Sequence, residues 1–197
     1  MSNGIGKTCC FTGYRPEKFP FELFSDTKEY IDFENSLYSA VLSLANEGIE
    51  RFYCGMAMGF DIIAAQAVLA LKEAKRDTAI ELICVKPFEE QNKSFTPFWK
   101  EKYEEIIKQA DGIIVMGKSY YKGCFHKRNC YMVDNSDIVL TYFDGQSGGT
   151  KSTLSYANKK GKRIVNIEEY GVQMFFAEIE EIYEIIFRYF DAVNEKI

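Results

Sequence analysis

The chain has 197 residues, 47% of them hydrophobic and 27% charged, a balance that suits one globular domain with a sizeable core. Its formal net charge of −5 argues against whole-surface attraction to DNA, RNA or anionic lipid. Met1-Ser2-Asn3-Gly4 begins no signal-peptide pattern, and no apolar stretch reaches membrane-spanning length, so a cytoplasmic protein without membrane contact is expected.

Lys7 to Thr12 is a short apolar run stopped by Gly13-Tyr14-Arg15-Pro16, which predicts a buried strand and a turn. Asp26 to Asn46 carries apolar residues at helical spacing, and Gly48 ends it. Arg51 to Cys54 predicts a second strand, and the Ala- and Leu-rich stretch Phe60 to Ala74 a helix. A third strand follows over Ala79 to Val85, then a loop over 88–97, a helix over Phe98 to Ala110 and a fourth strand over Gly112 to Met116. Residues 117–126 read as loop and about 127–135 as a short helix. Asp137 to Phe143 reads as a fifth strand, about Thr150 to Lys160 as a helix, and Arg163 to Ile167 as a sixth strand. From Val172 to about Val193 the pattern is an amphipathic helix rich in aromatics. Apolar width there beyond what the sheet covers would serve as a homodimer surface.

Strand runs that alternate with helices and are apolar throughout predict an α/β, Rossmann-like, doubly wound and mostly parallel sheet of about six strands, with helices on both faces. Nothing splits the chain, so residues 1–197 read as one domain with a core over about 7–167. Such sheets hold ligands beyond the carboxyl ends of their strands. Three glycine-bearing segments follow strands and should meet there. In the first, Gly13 and Tyr14 lead to Arg15, whose planar fork suits a phosphate. The second, Gly55-Met56-Ala57-Met58-Gly59, runs into a helix N-terminus that offers N–H groups to an anion. Asp61 in its first turn either caps the helix or accepts hydroxyls or a base edge. The third, Ser147-Gly148-Gly149-Thr150, again opens a helix; Thr150 reads as its cap and the N–H groups as a phosphate cradle. Arg128 and Asn129 read either as a rim of the same pocket or as a solvated helix start.

Several chemistries lack their pattern. Gly6-Lys7-Thr8 precedes a strand instead of following one, so it is no P-loop. Cys124, His126 and Cys130 match no zinc spacing, and His126 is the only histidine. Neither a metal nor a cofactor is expected. The six cysteines, mostly in apolar runs, read as buried free thiols.

These segments together resemble the SLOG superfamily (Smf/DprA and LOG proteins), and within it the YpsA-like branch of bacteria and their phages. TGYRP at 12–16 is similar to that branch's first-strand motif. GMAMGFDIIAAQAV at 55–68 is similar to a segment shared with DprA-like proteins. Arg128-Asn129 with Val133 to Asp137, and SGGT at 147–150, resemble later motifs of the branch, so the likeness spans roughly 7–167. The resemblance implies a Rossmann-like fold with a pocket for nucleotides or their derivatives. Its relatives include cytokinin-nucleotide hydrolases, sensors of ADP-ribose-type signals and DNA-binding proteins. The LOG motif carries a catalytic Glu after its glycines; here Lys151-Ser152-Thr153 follow Thr150. The reading therefore leans toward a ligand-binding or sensor protein for a nucleotide-derived small molecule, with nucleic acid not expected as a partner. Its rivals are a hydrolase of an N-glycosidic or phosphoribosyl bond with Asp61 as acid–base group, and an interaction module acting through the helix at 172–193.

Overall fold

The apolar runs form strands, and the segments with helical spacing cover them on both sides. The computed structural model describes residues 7–74 and 79–170. In chain order the described elements are β1 (Lys7–Gly13), α1 (Lys28–Asn46), β2 (Ile49–Cys54), α2 (Phe60–Ala74), β3 (Glu81–Lys86) and α3 (Pro97–Gln109). There follow β4 (Gly112–Val115), α4 (Cys124–Asp134), β5 (Ile138–Tyr142), α5 (Gly149–Lys159), β6 (Arg163–Asn166) and the short α6 (Ile167–Tyr170). Single 3-10 turns sit at Pro16–Lys18 and Gln91–Ser94. The amphipathic helix expected at 172–193 lies outside the described residues.

The strands form one sheet in the order β4-β3-β2-β1-β5-β6, and all five pairings are parallel. The chain steps outward from β1 to β4, then crosses back to β5 beside β1. Right-handed crossovers in one direction place α1, α2 and α3 on one face; reversing direction places α4 and α5 on the other. Contacts follow that division: α1 packs on α2 and α2 on α3, whereas α4 packs on α5. Strand alternation serves the two faces separately. Cys9, Phe11, Phe52, Cys54, Leu82, Cys84, Ile138 and Leu140 face the larger core, while Cys10, Tyr53, Val85 and Val139 face the smaller.

Phe60 stands at the start of α2, fully buried and edge-on to Phe11. Burying such a ring contributes about 2–3 kcal/mol, and here it also fixes where the β2–α2 bend meets β1. The reversal between β1 and β5 is the topological switch point of the sheet. Two neighbouring loops diverge there to opposite faces and leave a crevice.

Candidate functional site

Three bends converge at the carboxyl ends of β1, β2 and β5, and each is tied to another by hydrogen bonds. The Phe60 N–H donates to the Tyr14 carbonyl at 3.0 Å, joining the second bend to the first. The Thr150 hydroxyl donates to the Gly13 carbonyl at 2.9 Å, joining the third to the first. Lys18 Nζ donates to the Ser147 carbonyl at 2.7 Å. The Tyr14 hydroxyl donates to the Asp144 carboxylate and accepts from the Asp144 and Gln146 N–H groups. Sterics require small residues in this arrangement. A Cβ on Gly13 would lie 2.3 Å from the Phe60 ring. Gly59 has φ +91°, and a Cβ there would lie 2.4 Å from the Tyr14 carbonyl oxygen.

Between these bends lies a crevice of about 190 Å³. Of the residues expected from sequence, Gly13, Tyr14, Arg15, Asp61, Arg128, Asn129, Gly149 and Thr150 line it. Gly55, Met56, Gly59, Ser147 and Gly148 do not; they shape the bends behind it. The second bend spends its polar backbone internally. The Met56 N–H donates to Cys54 Sγ at 3.3 Å, the Ala57 N–H to Asp61 Oδ2 at 3.2 Å, and the Gly55 and Met56 carbonyls accept from Gln91 Nε2. Met56 itself is fully buried at φ 58°. The helix N-terminus of the third bend, that of α5, borders the crevice through Gly149 and Thr150. Its first intrahelical bond runs from Ser152 N–H to the Gly148 carbonyl, which leaves the N–H groups of Gly149, Thr150 and Lys151 for an anion. The expected cap at Thr150 is corrected: Gly148 is the N-cap, and the Thr150 hydroxyl is committed to Gly13.

Arg128 departs most from a surface reading. The helix that carries it starts at Cys124, after Gly123 at φ 94°, so Arg128 falls in the second turn of α4 facing the sheet. Its side chain is 4% exposed, and Nη1 lies 3.6 Å from Asp61 Oδ2. Nε and Nη1 have no hydrogen-bond partner. Gly55 makes the room, since a Cβ there would fall 1.4 Å from Nη1. Burial pushes the Asp61 carboxyl up, and Arg128, the Ala57 N–H and Arg15 draw it part of the way back. Burial likewise pulls the Arg128 guanidinium down, with Asp61 opposing. A guanidinium stays charged there. The crevice thus sets Arg15, Lys18 and Arg128 against one carboxylate, Asp61. Unpartnered guanidinium N–H groups beside a helix N-terminus fit a phosphate or carboxylate.

A second cavity of about 650 Å³ adjoins the crevice, and Arg15 and Phe125 line both. Arg15 stands over the Phe125 ring, 5.9 Å from its centroid. Sequence reasoning missed Lys18, Phe125 and Gln91. Lys18 was detectable as a second cation three residues after Arg15. Phe125 and Gln91 lie in segments read as loop, with no local signal. Among the described residues no group of three or more His, Cys, Asp or Glu side chains is placed to hold a metal, and the cysteines are unpaired thiols, all buried but Cys130. No described helix is long and apolar enough to cross a membrane.

Comparison with known proteins agrees with this architecture. The UPF0398 protein YpsA of Bacillus subtilis is 27% identical over 180 residues, covering 89% of this chain and 94% of its own. The SPbeta prophage-derived protein YoqJ of the same species is 33% identical over 128 residues, covering 59% of this chain and 74% of its own. DNA processing protein A of Helicobacter pylori superposes with TM-score 0.56 at 19% identity, over 91% of this chain and 80% of that one. Its Streptococcus pneumoniae counterpart gives 0.54 at 18% identity, over 80% of this chain and 49% of that one. These two likenesses concern the fold alone. The family model described as the YspA SLOG family matches residues 9–177, and with six parallel strands in Rossmann-like order behind that match, the chain belongs to this SLOG family.

Proposed function

We propose that the protein binds a nucleotide-derived small molecule, with the ligand's anionic group seated between Arg15, Arg128 and the N-terminus of α5. The observation that carries this reading is Arg128, a buried cation in the wall of a crevice, with Nε and Nη1 lacking hydrogen-bond partners and only the Asp61 carboxylate nearby as counter-charge. Leaving buried charged donors unmatched is costly, and an incoming phosphate would satisfy them. The switch-point position favours the same assignment, because there the crevice opens between loops that turn to opposite faces.

A hydrolytic reading is favoured by one observation. Asp61 lines the crevice with its carboxyl pushed up by burial, as a general acid would require. Single-stranded DNA is bound by the Helicobacter pylori neighbour, but the net charge of −5 here favours a small anion held by local donors.

The test is a thermal-shift and product-release panel of nucleotides, ADP-ribose derivatives and oligothymidylate. A true ligand at a hundredfold excess over Kd should raise Tm by roughly 5–10 °C, from about 2.7 kcal/mol of linkage. Arg15→Ala and Arg128→Lys should remove most of that rise. Intact ligand after incubation supports binding, and released base supports the hydrolase. Stabilisation by oligothymidylate alone would overturn the small-molecule assignment.

A further inference from the structure

The packing of α4 against α5 fixes one amide in the wall of the crevice. Asn129 lines the crevice, one position after Arg128, and its Nδ2 donates to Thr153 Oγ1 on α5 at 2.8 Å. Thr153 Oγ1 in turn donates to the Gly149 carbonyl at 3.0 Å. A threonine hydroxyl has one proton and a carbonyl can only accept, so that proton is spent on Gly149. Toward Asn129 the Thr153 oxygen can then only accept, and the amide must present its NH2 group there. The amide oxygen, Oδ1, is left without a hydrogen-bond partner among the described residues.

Burial separates the two residues. Thr153 is 2% exposed and stands behind the crevice, outside its lining. Asn129 is half-buried, and its oxygen is not sealed in the interior, so a bound molecule can reach it. The groups around it answer a different need. Arg15, Lys18, Arg128 and the first N–H groups of α5 only donate, which matches the oxygens of an anion. The Thr150 hydroxyl is committed to Gly13, and the Asp61 carboxylate already accepts from the Ala57 N–H and faces Arg128. A neutral acceptor placed among donors gains nothing from a bare anionic oxygen and is satisfied by an O–H.

We propose that Asn129, oriented by Thr153, is a specificity-determining residue whose amide oxygen accepts an O–H carried by the ligand beside its anionic group. Thr153 is the positioning residue of the pair and acts only through Asn129. The inference rests on the crevice seating the anion. It adds a second requirement, which separates anions of equal charge by whether a hydroxyl stands next to that charge.

Nitrogen-15 magnetic resonance titrations with sn-glycerol 3-phosphate and propyl phosphate isolate that hydroxyl. At about pH 8 both are dianions on a three-carbon chain, and only the first carries hydroxyls beside the phosphate. It should bind about 2–10-fold more tightly than propyl phosphate, the scale of one neutral hydrogen bond. A uniform loss of folded protein does not move this ratio. Asn129→Leu, close in shape and unable to accept, should bring the ratio to one. Thr153→Val, which frees the amide to turn, should lower it, and Thr153→Ser, which keeps the hydroxyl, should preserve it. Equal binding of the two probes, or a preference that survives Asn129→Leu, would overturn the specificity role while leaving the anion seat intact. A preference untouched by Thr153→Val would overturn the positioning role of Thr153. Failure of both probes to bind at millimolar concentration would overturn the crevice reading and this inference with it.

Discussion

At the scale of single residues, the site depends on a glycine that never faces the ligand. Gly55 ends β2, and its missing side chain is where the Arg128 guanidinium lies. Gly55→Ala would place a methyl group 1.4 Å from Nη1 and 2.8 Å from Asp61 Oδ2. Nη1 ends a flexible side chain that lines the crevice, so the methyl group would drive the guanidinium out of its place beside Asp61. The expected cost is about 1–3 kcal/mol from overpacking, measured by denaturant titration, together with loss of the ligand-induced rise in Tm. Unchanged stability with full ligand response would show that Arg128 can leave the crevice without consequence. Arg128 was also the residue least legible in the sequence. Between His126-Lys127 and Asn129 it reads as part of a charged helix start, and Lys127 is indeed exposed. Its burial is set by Gly55 and Asp61, more than sixty positions earlier in the chain, which no local pattern encodes.

At the scale of elements, the three bends act as one unit because side chains from one satisfy the backbone of another. Tyr14 shows this most clearly. Its ring packs edge-on to Phe19 and Tyr142, and its hydroxyl joins the first bend to Asp144 and Gln146 in the third. Tyr14→Phe keeps the ring and deletes the link. The expected loss is about 1–2 kcal/mol of stability, because the Asp144 N–H loses its acceptor and the Asp144 carboxylate a donor where water can partly replace them, while the Gln146 N–H keeps Asp144 Oδ1. Ligand affinity should also fall as the loop before α5 loosens, and calorimetry on the variant reads both effects. An unchanged affinity would mean that the third bend holds its shape alone. The elements themselves were largely legible. Strands buried on both faces leave continuous apolar runs, and glycines mark their ends. The start of α4 was misplaced by three residues, because its first turn, Cys124-Phe125-His126, lacks a capping residue and takes its turn from Gly123 instead. The short turn at Gln91–Ser94 carries no periodic signal; tertiary bonds from Gln91 to the β2–α2 bend accompany it.

At the scale of the whole molecule, the parallel, doubly wound class followed from alternating strands and helices, but the strand order did not. Where the chain reverses direction is fixed by which pairs of strands register, and that is a long-range property. The reversal beside β1 gathers the loops from β1 and β5, whose cations and open N–H groups form the wall proposed to bind an anion. An acidic molecule can still hold an anion there, because buried donors at short range outweigh a diffuse surface charge screened over about 8 Å of physiological salt. The most direct measurement is nuclear magnetic resonance of nitrogen-15-labelled protein, titrated with ADP-ribose. The account predicts that the Arg128 Nε–H resonance and the backbone amides of Gly149, Thr150 and Lys151 shift together with a single dissociation constant. Saturable binding that moves other amides and leaves these four groups unchanged would contradict it.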